Sequence, residues 1–271
     1  MSSPLIVSVT VCFLFSCCAC GHSHNAIECE TEALIMTRVD SIPSEVQVLL
    51  SCYKESILTY KEGLFFFKNG NTLVFDDLKE KSFLQELDDA DIQDMFQIPY
   101  KRLLQPSYLQ DPGRIRCEEF FKNLYGETET AVRSNLVKVN WFGGQMLWFN
   151  QRNGAADSLR AVFNELSKMP DSYHRFLTGS SSFYWRKVRG AERLSPHSFG
   201  IAIDINTKYA DYWHWSFPKA GELDQIEYRN RIPVEIVEIF EKHSFISGTR
   251  WYHFDTMHFE FRPEMIGLDS Q

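Results

Sequence analysis

The chain has 271 residues, of which 44% are hydrophobic and 24% charged, with 22 Phe, 11 Tyr and 6 Trp. That length suits one or two domains of roughly 100–200 residues each, and the apolar content excludes disorder for the bulk of the chain. The 28 Lys and Arg against 36 Asp and Glu leave a formal net charge of −8. A grip on phosphate backbones needs the opposite surplus, so nucleic acid is excluded as a partner.

The chain begins with an apolar run, Leu5 to Phe15 (LIVSVTVCFLF), followed at once by Ser16, Cys17, Cys18, Ala19, Cys20 and Gly21. The run is shorter than the ~20 residues of a spanning helix and has the form of a secretory signal, an apolar segment ahead of small residues. Met1 to Pro4 carries no Lys or Arg, so only the terminal amine is positive there. The expectation is a signal over residues 1–20 and export to the periplasm or cell envelope; a buried N-terminal strand or helix is the alternative. Leu14-Phe15-Ser16-Cys17 is similar to a permissive lipobox. A lipid anchor at Cys17 is the sole membrane attachment expected.

Cysteines stand at 12, 17, 18, 20, 29, 52 and 117, without the paired C-x-x-C spacing of a thiolate zinc site. In an oxidising compartment Cys52 and Cys117 pair, with Cys29 as a competitor, or remain as two buried thiols. Residues 21–59 read as a linker containing an H-x-H, His22 and His24. Gly63 to Phe75 then reads as two short strands around an Asn69-Gly70 turn. Asp76 to Met95 is acidic and helix-favouring, Pro99, Pro106, Pro112 and Gly113 mark loops, and a second apolar cluster runs from Phe120 to Tyr125. Residues 60–150 are read as an accessory region ahead of a catalytic core over 151–271. In that core, Ala155 to Met169 places Leu159, Val162, Phe163 and Leu166 on one helical stripe ended by Pro170, and Pro233 to His243 does the same with Ile236, Ile239 and Phe240. Both helices are expected to cover a sheet.

Two segments carry chemistry. Ser195-Pro196-His197-Ser198-Phe199-Gly200 leads into Ile201-Ala202-Ile203-Asp204-Ile205, where alternation puts the isoleucines on one face and Ala202 with Asp204 on the other. A lone aspartate in such a strand would cost several kcal/mol in the interior, so it needs a partner. Trp251 to Glu264 places Met257, Phe259 and Phe261 on an apolar face and His258 and Glu260 opposite. Two strands with apolar backs and polar fronts describe an antiparallel sheet presenting ligands to a cleft. His197, Asp204 and His258 then supply three protein ligands with a fourth position open, the arrangement of one catalytic Zn2+ per chain. Asp255, three residues before His258, is the candidate general base. Strict alternation would turn Asp255 away, so this role requires a turn before the strand. Gly200 allows close backbone approach. Glu260 shares the His258 face and is a candidate acceptor for a ligand imidazole, with an exposed salt bridge as the alternative.

Ser195-x-His197-x-x-Gly200-x-Ala202-x-Asp204, followed by Asp255-x-x-His258, resembles the signature of the D-alanyl-D-alanine carboxypeptidase (VanY-like) zinc metallopeptidases. The resemblance spans roughly Leu64 to Met265 and is specific in these two motifs. It implies an α+β fold of the hedgehog/D-Ala-D-Ala zinc peptidase type, a central antiparallel sheet flanked by helices. It implies His197, Asp204 and His258 as zinc ligands, Asp255 as catalytic base, and the peptide stem of bacterial peptidoglycan as substrate. Asp at the base position lies nearer the branch with L-alanyl-D-glutamate peptidases. Phe183-Tyr184-Trp185-Arg186 resembles an aromatic strand ending in the arginine that binds a substrate carboxylate or oxyanion, with Arg189 or Arg193 as replacements if the register shifts. Ser195 either caps the turn holding His197 or bonds substrate; Trp251 either packs beside the site, in contact with substrate, or belongs to plain core. Arg114 and Arg116 are candidates for anionic substrate groups. Trp213-His214-Trp215 with Tyr209 and Tyr212 either line a groove or pack as buried structure, and His174, His214, His243 and His253 read as ordinary hydrogen-bonded histidines. One departure is Ser247-Gly248-Thr249-Arg250, where many relatives carry a Trp-Gly-Gly-Lys-like turn. The expected activity is a D,D-carboxypeptidase. An endopeptidase of the L-alanyl-D-glutamate or cross-bridge type, a non-catalytic zinc-containing cell-wall binder and a lipid-anchored interaction protein remain as alternatives.

Overall fold

The computed structural model describes residues 42–268, so the apolar N-terminal run, Cys17, the His22–His24 pair and Cys29 lie outside the described residues. Helix α1 (Ser44–Cys52) leads into a three-stranded antiparallel meander, β1 (Ile57–Lys61), β2 (Leu64–Phe67) and β3 (Thr72–Val74). The Asn-Gly turn forms where the sequence places it. Gly70 takes the left-handed φ of 93° and closes the turn onto the Phe67 carbonyl at 3.0 Å, while the Asn69 carboxamide accepts from the Asn71 N–H at 3.0 Å. Phe65 and Phe67 point inward from β2 and are buried.

Of the acidic stretch after β3, only α2 (Phe83–Asp88) is α-helical. Asp77, Asp91 and Asp94 converge on the Lys81 ammonium at 3.2, 3.4 and 2.6 Å, and Asp91 and Asp94 accept each other's backbone N–H at 2.9 Å. Side chains that bond backbone locally compete with helix, which explains the break. Helices α3 (Glu118–Tyr125) and α4 (Glu129–Arg133) follow, then the hairpin β4 (Leu136–Asn140) and β5 (Met146–Asn150), and the helices α5 (Ala155–Leu166) and α6 (Asp171–His174). The last part contains β6 (Ala202–Asp204), α7 (Trp213–Ser216), α8 (Val234–Lys242), β7 (Phe245–Ser247), β8 (His258–Phe261) and α9 (Pro263–Leu268). Strand β8 lies between β6 and β7, antiparallel to both.

The α+β class is observed, with the strands divided among three small antiparallel sheets where one central sheet was expected. The helices at 155 and 234 form as their periodicity predicts. Helix α8 covers the β6–β8–β7 sheet, with Phe240 stacked on Phe259 at a centroid distance of 3.9 Å. From Pro43 on, the described residues form one compact unit, and one buried apolar cluster runs from Val46 to Phe261. The stretch read as linker up to residue 59 therefore contributes core: Val46, Leu49 and Tyr53 recur at i, i+3 and i+7 along α1 and its end and are fully buried, and Ile57 of β1 joins them. The expected boundary at 150 falls inside this core, where Phe149 packs on Phe245 at 6.0 Å and the Asn150 N–H donates to the Gly200 carbonyl at 2.8 Å. Cys52 and Cys117 are free thiols, and burial pushes both up to about 12. Among the described residues no helix is long and apolar enough to cross a membrane.

Phe120 of α3 joins this core to the first meander, with ring contacts to Tyr53, Phe67 and Phe65 at 5.6, 6.1 and 6.5 Å. Phe120→Ala should therefore cost about 3–5 kcal/mol, read as a lower midpoint in urea unfolding. A loss below about 1 kcal/mol would show that the meander and the core are not one packed body.

Candidate metal centre and cleft

His197 lies in a one-turn 3-10 helix, Pro196–Phe199, directly ahead of β6. The turn reverses into the strand at Gly200, whose φ is 67° and whose missing Cβ would sit 2.6 Å from the Leu136 side chain and 3.3 Å from the Asn150 nitrogen. Only glycine fits both the backbone angle and the space. Asp204 ends β6, and the β6–β8 register sets His258 directly opposite it. The Asp204 Oδ1 atom lies 3.2 Å from His197 Nε2 and 3.2 Å from His258 Nδ1, and the rings of the two histidines are 5.2 Å apart. The three side chains thus converge with one donor atom each, all within 4.8 Å of one another.

The far nitrogen of each imidazole is also held. His197 Nδ1 donates to the Ser182 carbonyl at 2.6 Å, and His258 Nε2 faces a Glu260 carboxylate oxygen at 3.5 Å. A carbonyl can only accept, so His197 Nδ1 carries a proton, and Nε2 can offer its lone pair toward Asp204. Burial raises the Asp204 pKa, but the charge and hydrogen bonds of His197 and His258 outweigh it and hold the carboxyl well below the usual range. For His258, burial favours the neutral ring, yet the bonds to Asp204 and Glu260 push it up to about 9. The donor set fits a divalent zinc. A tetrahedral ion about 2.0–2.1 Å from each nitrogen keeps neighbouring donors roughly 3.3 Å apart, close to the 3.2 Å separations observed. Far nitrogens bonded to a carbonyl and a carboxylate are the orientation that ligand imidazoles need.

Asp255 does not follow strand alternation. The His258 N–H donates to the Asp255 carbonyl at 3.0 Å, closing a turn before β8, and the Asp255 N–H donates to the Gly248 carbonyl at 3.1 Å. The turn returns the half-buried Asp255 side chain to the cleft shared by His197, Asp204 and His258. Its Oδ1 is buried and has no hydrogen-bond partner among the described residues. Burial, followed by the nearby Asp204 carboxylate, pushes its pKa up to about 6 against the opposing pull of His258, His197 and Arg114.

The cleft has a volume of ≈ 300 Å³, and Arg186, Ser195 and Trp251 also line it. Ser195 occupies the first position of the 3-10 turn, but its hydroxyl makes no capping bond. The backbone of Arg186 is fixed by the Ser195 N–H donating to its carbonyl at 3.0 Å and by its own N–H donating to the Ser198 hydroxyl at 2.9 Å; its side chain is exposed. Trp251 packs 5.4 Å from the His258 ring and donates its indole N–H to the Pro112 carbonyl at 2.7 Å. Glu260 is fully buried, which excludes the exposed salt bridge. It takes the Arg116 guanidinium through Nη2 at 2.6 Å and Nε at 3.1 Å, and Arg262 at 3.3 Å. Arg262 in turn bonds Glu264, which accepts from the Tyr53 hydroxyl of the α1 end. Arg116 lines the cleft as expected, but its charge is already matched by Glu260, and Arg114 is matched by Asp111 at 3.1 Å and Glu222 at 2.8 Å.

Sequence reasoning missed the setting of His253. It is hydrogen-bonded and buried, as expected of an ordinary histidine, but it also lines the cleft and is oriented by Asp111, which accepts from its ring Nδ1 at 2.5 Å and its backbone N–H at 2.8 Å. The partners are 142 residues apart in sequence, so no local spacing signals them. Among the expected groove aromatics, Tyr212, Trp213 and Trp215 line the cleft; Trp213 is buried and Trp215 is 54% exposed. The departure at Ser247–Arg250 does not line the cleft. It supports the Asp255 turn from behind, since a Cβ on Gly248 would meet the Asp255 carbonyl oxygen at 2.2 Å.

Two outcomes follow. Gly248→Ala should cost about 1–3 kcal/mol in thermal unfolding, because backbone cannot yield as a side chain does; a neutral variant would show that the Asp255 turn is free to move. Burial raises the Asp111 pKa, but Arg114 and then His253 outweigh it and hold the carboxyl below its ordinary value. Its charge therefore adds stability that is complete above the unfolded carboxylate pKa, about 3.9, and is lost as pH falls through the lower folded value. Asp111→Asn should flatten the fall in stability between about pH 5 and pH 3; an unchanged slope in denaturant melts across that window would refute the assignment.

Residues 189–261 match the family model described as D-alanyl-D-alanine carboxypeptidase. No curated protein and no solved structure matches the chain. The matched segment contains His197, Asp204, Asp255 and His258, so the four converging residues all lie within the part of the chain that is similar to that family.

Proposed function

We propose that the protein is a zinc-dependent peptidase that trims the peptide stem of bacterial peptidoglycan as a D-alanyl-D-alanine carboxypeptidase. The observation that carries this is the convergence of His197, Asp204 and His258 in one cleft with an Asp255 oxygen that has no partner among the described residues. The family match supports the substrate class. His197, Asp204 and His258 hold the metal, and Glu260 and the Ser182 carbonyl keep the two imidazoles in orientation. Zinc bound there supplies Lewis acidity, lowering the pKa of a water to about 7 and polarising a peptide carbonyl. Asp255 accepts the proton of the attacking water and returns it to the leaving amine; its raised pKa suits both halves of the transfer. Arg186 takes the substrate's terminal carboxylate or the developing oxyanion. Ser195 and Trp251 contact the substrate between these groups. A peptidoglycan substrate and the apolar run at Leu5–Phe15 both support export to the cell envelope.

Mass spectrometry of purified muropeptides incubated with the zinc-loaded protein tests this. Loss of one terminal alanine is the expected result, and a split stem would assign an endopeptidase. Asp255→Ala should keep one zinc per chain while hydrolysis falls about 10²–10⁴-fold. Unchanged processing by Asp255→Ala, or no processing under any divalent metal, would overturn the enzyme and favour a cell-wall binder.

A further inference from the structure

Five guanidinium groups line the cleft, and three have carboxylate partners of their own. Arg114 is held by Asp111 and Glu222, Arg116 by Glu260, and Arg193 by Asp88 at 2.8 Å. Arg186 and Arg189 have no carboxylate partner among the described residues; the Arg186 guanidinium reaches only the Lys187 carbonyl, at 3.4 Å. Both side chains are exposed. The cleft also contains the Asp204 and Asp255 carboxylates, whose two charges a divalent ion would offset. Two positive charges then remain facing whatever enters, on a chain whose net charge is −8. Walls of one sign in a cleft concentrate ligands of the other.

Arg189 is not on a loose loop. Lys187 pairs with Leu194 as an antiparallel bridge, the Val188 N–H donates to the Arg193 carbonyl at 2.9 Å, and the Ala191 N–H donates to the Val188 carbonyl at 3.1 Å. Gly190, with φ 80°, completes the turn. Arg189 therefore stands at the tip of a closed hairpin whose base is tied to the His197 turn through Arg186 and Ser195. Tyr212 and Trp215 line the same cleft as Arg189. Three positions along an extended strand span roughly 10 Å at most, so Arg186 and Arg189 can bind two separate groups of one short peptide.

We infer that Arg189 recognises a second carboxylate of the substrate, so that the cleft selects peptides carrying an internal free acid in addition to the terminal carboxyl taken by Arg186. This deepens the peptidase reading and rests on it. Amidation of that internal acid removes the charge and one of two acceptor oxygens, and with them the bidentate pairing a guanidinium makes with carboxylate.

The test uses two synthetic peptides ending in D-alanyl-D-alanine that differ only in one internal side chain, free acid or primary amide. Affinities are measured by calorimetry on the zinc-loaded full chain carrying Asp255→Ala, with and without Arg189→Gln, and cleavage rates on the chain with Asp255 intact. The acidic peptide should bind roughly 10–100-fold more tightly than the amide, the range of a charge-assisted hydrogen bond. Arg189→Gln should reduce that preference to below about threefold without changing the zinc content, and Arg189→Lys should keep part of it. Added salt should shrink the preference, since Arg189 is exposed. Equal affinities for the two peptides, a preference that survives Arg189→Gln, or no binding of either peptide overturns the inference. Cleavage of both peptides at equal rates overturns it while leaving the peptidase intact; an Arg189-dependent preference without cleavage keeps the recognition role and removes the peptidase.

Discussion

The structure is organised around one half-buried negative charge. Asp204 ends a strand in which Ile203 and the following Ile205 are fully buried, and a carboxylate in such surroundings is several kcal/mol unfavourable unless it is matched. Two imidazoles at 3.2 Å do the matching, and each is delivered by a different device. His258 comes from the antiparallel register of β6 and β8, which sets it directly across from Asp204. His197 comes from the same segment as Asp204, folded back by a 3-10 turn and a left-handed glycine. A shift of one residue in the register would turn His258 away and leave the carboxylate alone.

Around that charge lies a chain of others. His258 faces Glu260, Glu260 holds Arg116 and Arg262, Arg262 bonds Glu264, and Glu264 takes the Tyr53 hydroxyl. Glu260, Arg262 and Glu264 are fully buried, and removing one member of such a series leaves its neighbour as an unpaired interior charge, a loss of about 3–5 kcal/mol. Hydrophobic side chains of similar volume would be at least as stabilising. Ionic groups instead fix the direction of the His258 ring, which an apolar filling would not. The same series explains why the segment around Tyr53 and the loop carrying Arg116 are integral to the cleft, although both precede the matched segment by many residues.

Net charge says little about this cleft. The chain is acidic overall, yet the cleft wall is built from arginines, most of them neutralised by carboxylates beneath. What faces a ligand is the remainder after that internal pairing, and field focusing in a cleft depends on this local balance.

Much of the site was legible in the chain. The alternation of Ile201 to Ile205 and of Met257 to Phe261 marked two strands with polar fronts, and the H-x6-D and D-x-x-H spacings named the converging groups, because strand periodicity and ligand chemistry are local properties. Even the turn at Asp255 was required by them. The Asn-Gly hairpin and the helices at 155 and 234 were legible for the same reason. Tertiary structure alone decided the partners that lie far apart in sequence: Asp111 under His253, Ser182 behind His197, and Glu222 on Arg114. It also decided which arginines are spent on internal ion pairs and which face the cleft. It drew α1 and the start of β1, expected as linker, into one core with the strands that carry Asp204 and His258. Periodicity shows which face of an element is apolar, but only the packed chain determines what that face meets, since burial and charge pairing are properties of groups brought together from distant parts of the sequence.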